Sequence, residues 1–82
     1  MGETPSRKTL RKIIQITEAD PTIVKVKKHY SIYLAPEEIV LQVNAIFKKN
    51  LTTEEITEAI QRISRTIKKQ FPRFKQIFIE PV

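Results

Sequence analysis

Leu10, Ile13, Ile14 and Thr17 recur at helical spacing while Arg7, Lys8, Arg11 and Lys12 fall on the other side, which predicts an amphipathic helix of about three turns. Thr4-Pro5 supplies a cap and a first helical position, and Asp20-Pro21 stops the helix because a residue before proline is pushed toward extended geometry. From Ile23 to Leu34 the period changes to two. Val24, Val26, Lys28, Tyr30, Ile32 and Leu34 then share one face, with Lys25, Lys27, His29, Ser31 and Tyr33 on the other. Lys28 interrupts the apolar set, which predicts either a bulge there or a lysine that runs out along the sheet edge. After the turn segment Ala35-Pro36-Glu37-Glu38, Ile39 to Phe47 reads as a second strand, with Leu41, Val43, Ala45 and Phe47 on its oilier face.

Lys48-Lys49-Asn50 is a turn, and Leu51-Thr52-Thr53-Glu54-Glu55-Ile56 carries the signature of a helix start. Thr52 is placed to cap the Glu55 amide, Glu55 to reach back, and Leu51 to staple onto Ile56. Ile56, Ala59, Ile60, Ile63, Ile67 and Phe71 form the stripe of this second helix, which Pro72 ends. Phe74 to Glu80 reads as a third strand, with Ile77 and Ile79 opposed to Gln76, Phe78 and Glu80.

The order is helix, strand, strand, helix, strand. Both helices must bury a stripe on few strands, so the expected fold is α+β: an open two-layer sandwich with a three-stranded mixed sheet and both helices on one face. Simple alternation puts Val24, Val26, Tyr30 and Ile32 under the helices with Leu41, Val43, Ala45, Ile77 and Ile79. The opposite face then collects Lys27, His29, Ser31 and Tyr33 with Val40, Gln42, Asn44, Ile46, Gln76, Phe78 and Glu80. A bare, half-apolar sheet face suits dimerisation, with Tyr33, Val40, Gln42, Asn44, Ile46 and Phe78 as the expected contacts.

Composition narrows the chemistry. A chain of 82 residues, 40% hydrophobic and 29% charged, makes one folded domain at most. With no cysteine, one histidine (His29), and only Ser6, Ser31 and Ser64 as serines, nucleophilic catalysis has almost no raw material, and an enzyme is not expected. The single glycine, Gly2, leaves no phosphate-cradling loop. The longest uncharged apolar-rich stretch, Ile39 to Phe47, is far shorter than the roughly 20 residues of a membrane span. Fifteen Lys and Arg against nine Asp and Glu give a net charge of +6, which attracts anions. Nucleic acid and an anionic lipid surface both answer that charge. Neither a Gly-x-x-Gly clamp nor an aromatic base-stacking strand is present, so the nucleic-acid reading has only charge behind it.

Several pieces read in order resemble the C-terminal cytosolic domain of the cation diffusion facilitator transporters. They are Gly2-Glu3-Thr4-Pro5, Glu18-Ala19-Asp20-Pro21, Ala35-Pro36-Glu37-Glu38, Asn50 to Ile56, Gln70-Phe71-Pro72 and Ile77-Phe78-Ile79-Glu80-Pro81. The resemblance implies the same element order, a homodimer at the cytoplasmic face of the cell membrane, and a transmembrane domain of the same full-length transporter as covalent partner. It implies that residues 1–5 are a linker from that membrane domain and residues 6–82 a single dimerising and regulatory domain. It also implies a divalent cation such as zinc, manganese or iron as effector. Where zinc-binding relatives place histidines, this chain has Lys27, Asn44 and Phe78, and only Glu80 keeps a ligand-type side chain. The metal set expected here is therefore degenerate, Glu80, His29 and Asn44, and metal binding is weak or absent. The alternative is a free-standing basic α+β module that binds nucleic acid.

Overall fold

Ser6 starts helix α1 (Arg7–Glu18): its backbone is extended, its hydroxyl accepts a hydrogen bond from the Thr9 amide at 3.1 Å, and Pro5 stands outside the helix. The computed structural model describes residues 5–82, so the expected Thr4 cap, and all but Pro5 of the expected linker, lie outside the described residues. The helical start expected at Pro5 moves to Arg7, because the serine hydroxyl satisfies the free amide of the first turn. Ile13 and Thr17 are buried, and the Thr17 hydroxyl is satisfied by the Ile13 carbonyl at 2.9 Å. Arg7, Lys8, Arg11 and Lys12 are exposed, as the stripe predicts.

Strand β1 (Ile23–Ala35) turns at Pro36-Glu37 into the antiparallel strand β2 (Glu38–Phe47). Asn50 has φ 65°, the left-handed conformation that Asn tolerates, and closes the turn into helix α2 (Thr53–Gln70). The capping box is present in both directions, from the Glu55 amide to the Thr52 hydroxyl at 3.0 Å and from the Thr52 amide to the Glu55 carboxylate at 2.8 Å. Strand β3 (Phe74–Pro81) then pairs parallel with β2, a connection that needs the crossover α2 provides. The sheet order is β1-β2-β3, and the described residues form the α-β-β-α-β two-layer arrangement with a mixed sheet. Ile39, Leu41, Val43 and Ala45 of central β2 are buried against Ile13, Ile63 and Ile67 of the helices, so both helices cover one face.

Simple alternation fails along β1. The register breaks at three places, leaving Val24, Lys27 and Leu34 unpaired. A bulge adds one residue to one strand, and every side chain beyond it changes face relative to simple alternation. Ile23 therefore replaces Val24 in the core, Val26 stays under the helices, and beyond Lys27 the faces exchange: His29, Ser31 and Tyr33 sit opposite Val43, Leu41 and Ile39. Tyr30 and Ile32, expected inside, sit opposite Gln42 and Val40 on the uncovered face. The Glu18 carboxylate accepts the Val26 amide at 2.9 Å beside the second bulge. A further irregularity skips Lys75 and turns Phe74 into the core.

One consequence is a hydroxyl in the wrong place. Ser31 Oγ is buried with no partner among the described residues. Ser31→Ala is expected to raise stability by about 1 kcal/mol in denaturant melts, because an unmet polar group is removed with little change of volume. A drop in midpoint would show that the hydroxyl is satisfied in solution.

Asp20 does more than end a helix. Its nearly buried carboxylate accepts from the Thr22 amide at 3.0 Å and hydroxyl at 2.7 Å, and from Arg62 on α2 at 2.7 and 3.0 Å. The Arg62 bonds, helped by those from Thr22, hold its pKa down from the ordinary 3.8 to about 2 against the opposing effect of burial. At the other end, Arg73 donates to the Pro36 carbonyl and the Tyr33 hydroxyl, and lies 5.6 Å from the Tyr33 ring centre.

The uncovered sheet face as candidate functional site

The face that the helices leave free is set out in rows by the strand register. Ile32, Val40 and Gln76 form one row, Tyr30, Gln42 and Phe78 the next, and Lys28, Asn44 and Glu80 a third, with Lys25 and Ile46 beyond. Tyr30, Ile32 and Phe78 are 52%, 59% and 50% exposed, a large apolar contribution for a domain this small. Val40, Gln42, Asn44 and Ile46 are half-buried between their neighbours. The Gln42 side-chain amide donates to the Asn44 side-chain oxygen at 3.3 Å.

Five of the six expected contact residues, Val40, Gln42, Asn44, Ile46 and Phe78, share this face. Tyr33 does not: the bulge at Lys27 turns it under the helices, where it packs against the core and bonds Arg73. Tyr30 and Ile32 take its place, and the signal for them was Lys28 in the apolar phase of β1, which marked the break without showing its effect downstream.

The expected metal trio is divided in the same way. His29 lies opposite Val43 on the covered face, whereas Asn44 and Glu80 lie side by side on the uncovered one, so the three do not converge. Among the described residues no three His, Asp or Glu side chains come together. Glu80 and the Asn44 amide remain, with Lys28 on the far side of Asn44 and Phe78 two residues before Glu80. One carboxylate, one amide and an adjacent cation do not fit a closed tetrahedral metal site. A surface cavity away from this face, bounded by Tyr33, Gln70, Arg73 and Phe74, has its guanidinium already engaged by Pro36 and Tyr33.

Residues 5–81 match the family described as cation efflux protein, cytoplasmic domain. Curated protein sequences give no match. Among solved structures, the chain is similar to a variant of the MamM C-terminal domain in its nickel form, with 13% identity, a TM-score of 0.81, and 94% of this chain and 96% of that chain covered. A cadmium form (13% identity, TM-score 0.80, 93% and 94% covered) and a manganese form (13%, 0.78, 92% and 94%) show the same fold. No described helix is long and apolar enough to cross a membrane.

Proposed function

Because this chain belongs to the family of cation efflux protein cytoplasmic domains, we propose that it is the dimerising, regulatory module of a divalent metal efflux transporter, a binding rather than a catalytic part. Its partners are a second copy of itself and the transmembrane part of the same protein. The observation that carries this reading is the uncovered sheet face, where Tyr30, Ile32 and Phe78 stand half exposed beside Val40 and Ile46. Burying a sheet face of this kind against another is the usual way for two sheets to share a core, with the layers about 10 Å apart. Regulation follows from geometry: two modules joined through their sheets set the separation of whatever is attached to each. Among the described residues of one copy no three His, Asp or Glu side chains come together, and what the face offers to hold the join is apolar contact and charge.

Light scattering on the purified chain tests the reading. Twice the protomer mass is expected at micromolar concentration, and Phe78→Ala is expected to weaken the dimer by about tenfold while leaving the fold intact, since this ring is exposed within the protomer. A wild-type chain that stays monomeric as concentration rises would overturn it.

A further inference from the structure

One row of the uncovered face carries opposite charges at its two ends. Lys28 on β1 lies opposite Asn44 on β2, and Asn44 lies opposite Glu80 on β3. With neighbouring strands about 4.8 Å apart, the positive and negative positions are separated by about 10 Å. Both side chains are exposed, and among the described residues the one ion pair is Asp20 with Arg62, so neither Lys28 nor Glu80 is matched within its own protomer.

Such a row is complementary to itself. Two sheets packed face to face about a two-fold axis along β2 lay β1 of one copy over β3 of the other. Lys28 then faces Glu80 of the partner subunit, and symmetry makes the pair twice. Under the same operation Tyr30 meets Phe78 of the partner subunit, an aromatic contact beside each ion pair. An axis across the strands through this row would instead set lysine on lysine and glutamate on glutamate. Aligned sheets cross at about 30°, a displacement that a lysine stem spans this close to the axis.

We propose that the uncovered face pairs with a second copy without metal, the Lys28 ammonium occupying against Glu80 of the partner subunit the place where a divalent cation would otherwise neutralise the carboxylate. The inference rests on the dimer reading above and adds its orientation and its independence of metal. Each copy carries a net +6, so the copies repel at long range. Apolar contact supplies the attraction, and the charge row chooses which way round the sheets meet. The Lys28 ammonium also repels a divalent cation from Asn44 and Glu80, which disfavours the metal-bridged alternative on the same face.

Sedimentation equilibrium of the chain, in EDTA and with added zinc or manganese, separates the cases. The dimer is expected in EDTA, with its Kd changed less than about threefold by either metal. Lys28→Glu and Glu80→Lys each set like charges face to face twice per dimer and are expected to raise Kd about 30-fold. Combining them restores opposite charges in the reverse sense and is expected to return Kd to within about threefold of the wild type. Circular dichroism confirms folding of all three variants, whose altered positions are exposed. Dissociation by EDTA overturns the independence of metal, and a double variant no tighter than the single ones overturns the pairing; in both results the dimer itself stands. A wild-type chain that is monomeric throughout overturns the dimer and this inference together.

Discussion

Phe74→Ala is expected to destabilise the domain by about 3–5 kcal/mol, the range for deleting a buried aromatic ring and leaving a cavity. Phe74 is 2% exposed, packs edge-on against Phe71 with ring centres 6.3 Å apart, and lies opposite buried Ile39 where β3 begins. Its backbone is pinned as well, its amide donating to the Phe71 carbonyl at 3.0 Å while the Ile39 amide donates to the Arg73 carbonyl at 2.8 Å. The surroundings therefore cannot follow the missing ring inward. A domain of 82 residues has about 4–12 kcal/mol of stability in all, so this one change removes a large share. In thermal melts the midpoint should fall by about 15–30 °C. Phe74→Leu, which refills most of the volume, should cost less than half as much. Equal costs for alanine and leucine would show that the ring's position, and with it the irregularity at Lys75, is wrong.

Asp20→Ala is expected to cost about 2–4 kcal/mol at neutral pH, because four hydrogen bonds end on one nearly buried carboxylate. The arginine partner is half exposed and can return to water, which keeps the figure below that of a fully buried broken pair. The same carboxylate makes stability depend on pH. Its folded pKa is about 2 against an ordinary 3.8, so the unfolded chain binds the proton more readily. Its contribution is thus fully present above about pH 4 and is lost as pH falls through about 2. At about 1.4 kcal/mol per pH unit, that interval corresponds to a contribution on the order of 2 kcal/mol. Other carboxylates titrate in the same range, so the quantity to measure is the difference between wild type and variant. It should be largest near neutrality and shrink by about 2 kcal/mol by pH 2, where the folded carboxylate is half protonated. A difference that stays constant from pH 7 to pH 2 would show that Arg62 does not hold the charged form.

Much of the architecture was legible in the order of the residues. The stripes of α1 and α2, the Thr52 and Glu55 capping box, and the clean alternation of β2 depend on near neighbours, and each appears where its pattern predicted. The α2 stripe is core at Ala59, Ile63 and Ile67, with Ile60 and Phe71 packed against it. The uncovered face was legible to the extent that β2 and β3 define it, which is why Val40, Gln42, Asn44, Ile46 and Phe78 share it while Tyr33 does not. His29 lies apart from Asn44 and Glu80 for the same reason that Tyr33 lies apart from Val40 and Phe78: the exchange of faces along β1.

What the chain determined by itself was the kind and order of its elements, the apolar stripes and the charge. What only the tertiary structure decided was the phase of β1, and through it whether Tyr30, Ile32 and Lys28 or His29, Ser31 and Tyr33 face outward. A strand has a period of two, so one unpaired residue is enough to exchange its faces. The bulge at Lys27 lies beside a hydrogen bond from the Val26 amide to Glu18 on α1, a contact between elements that no local pattern records.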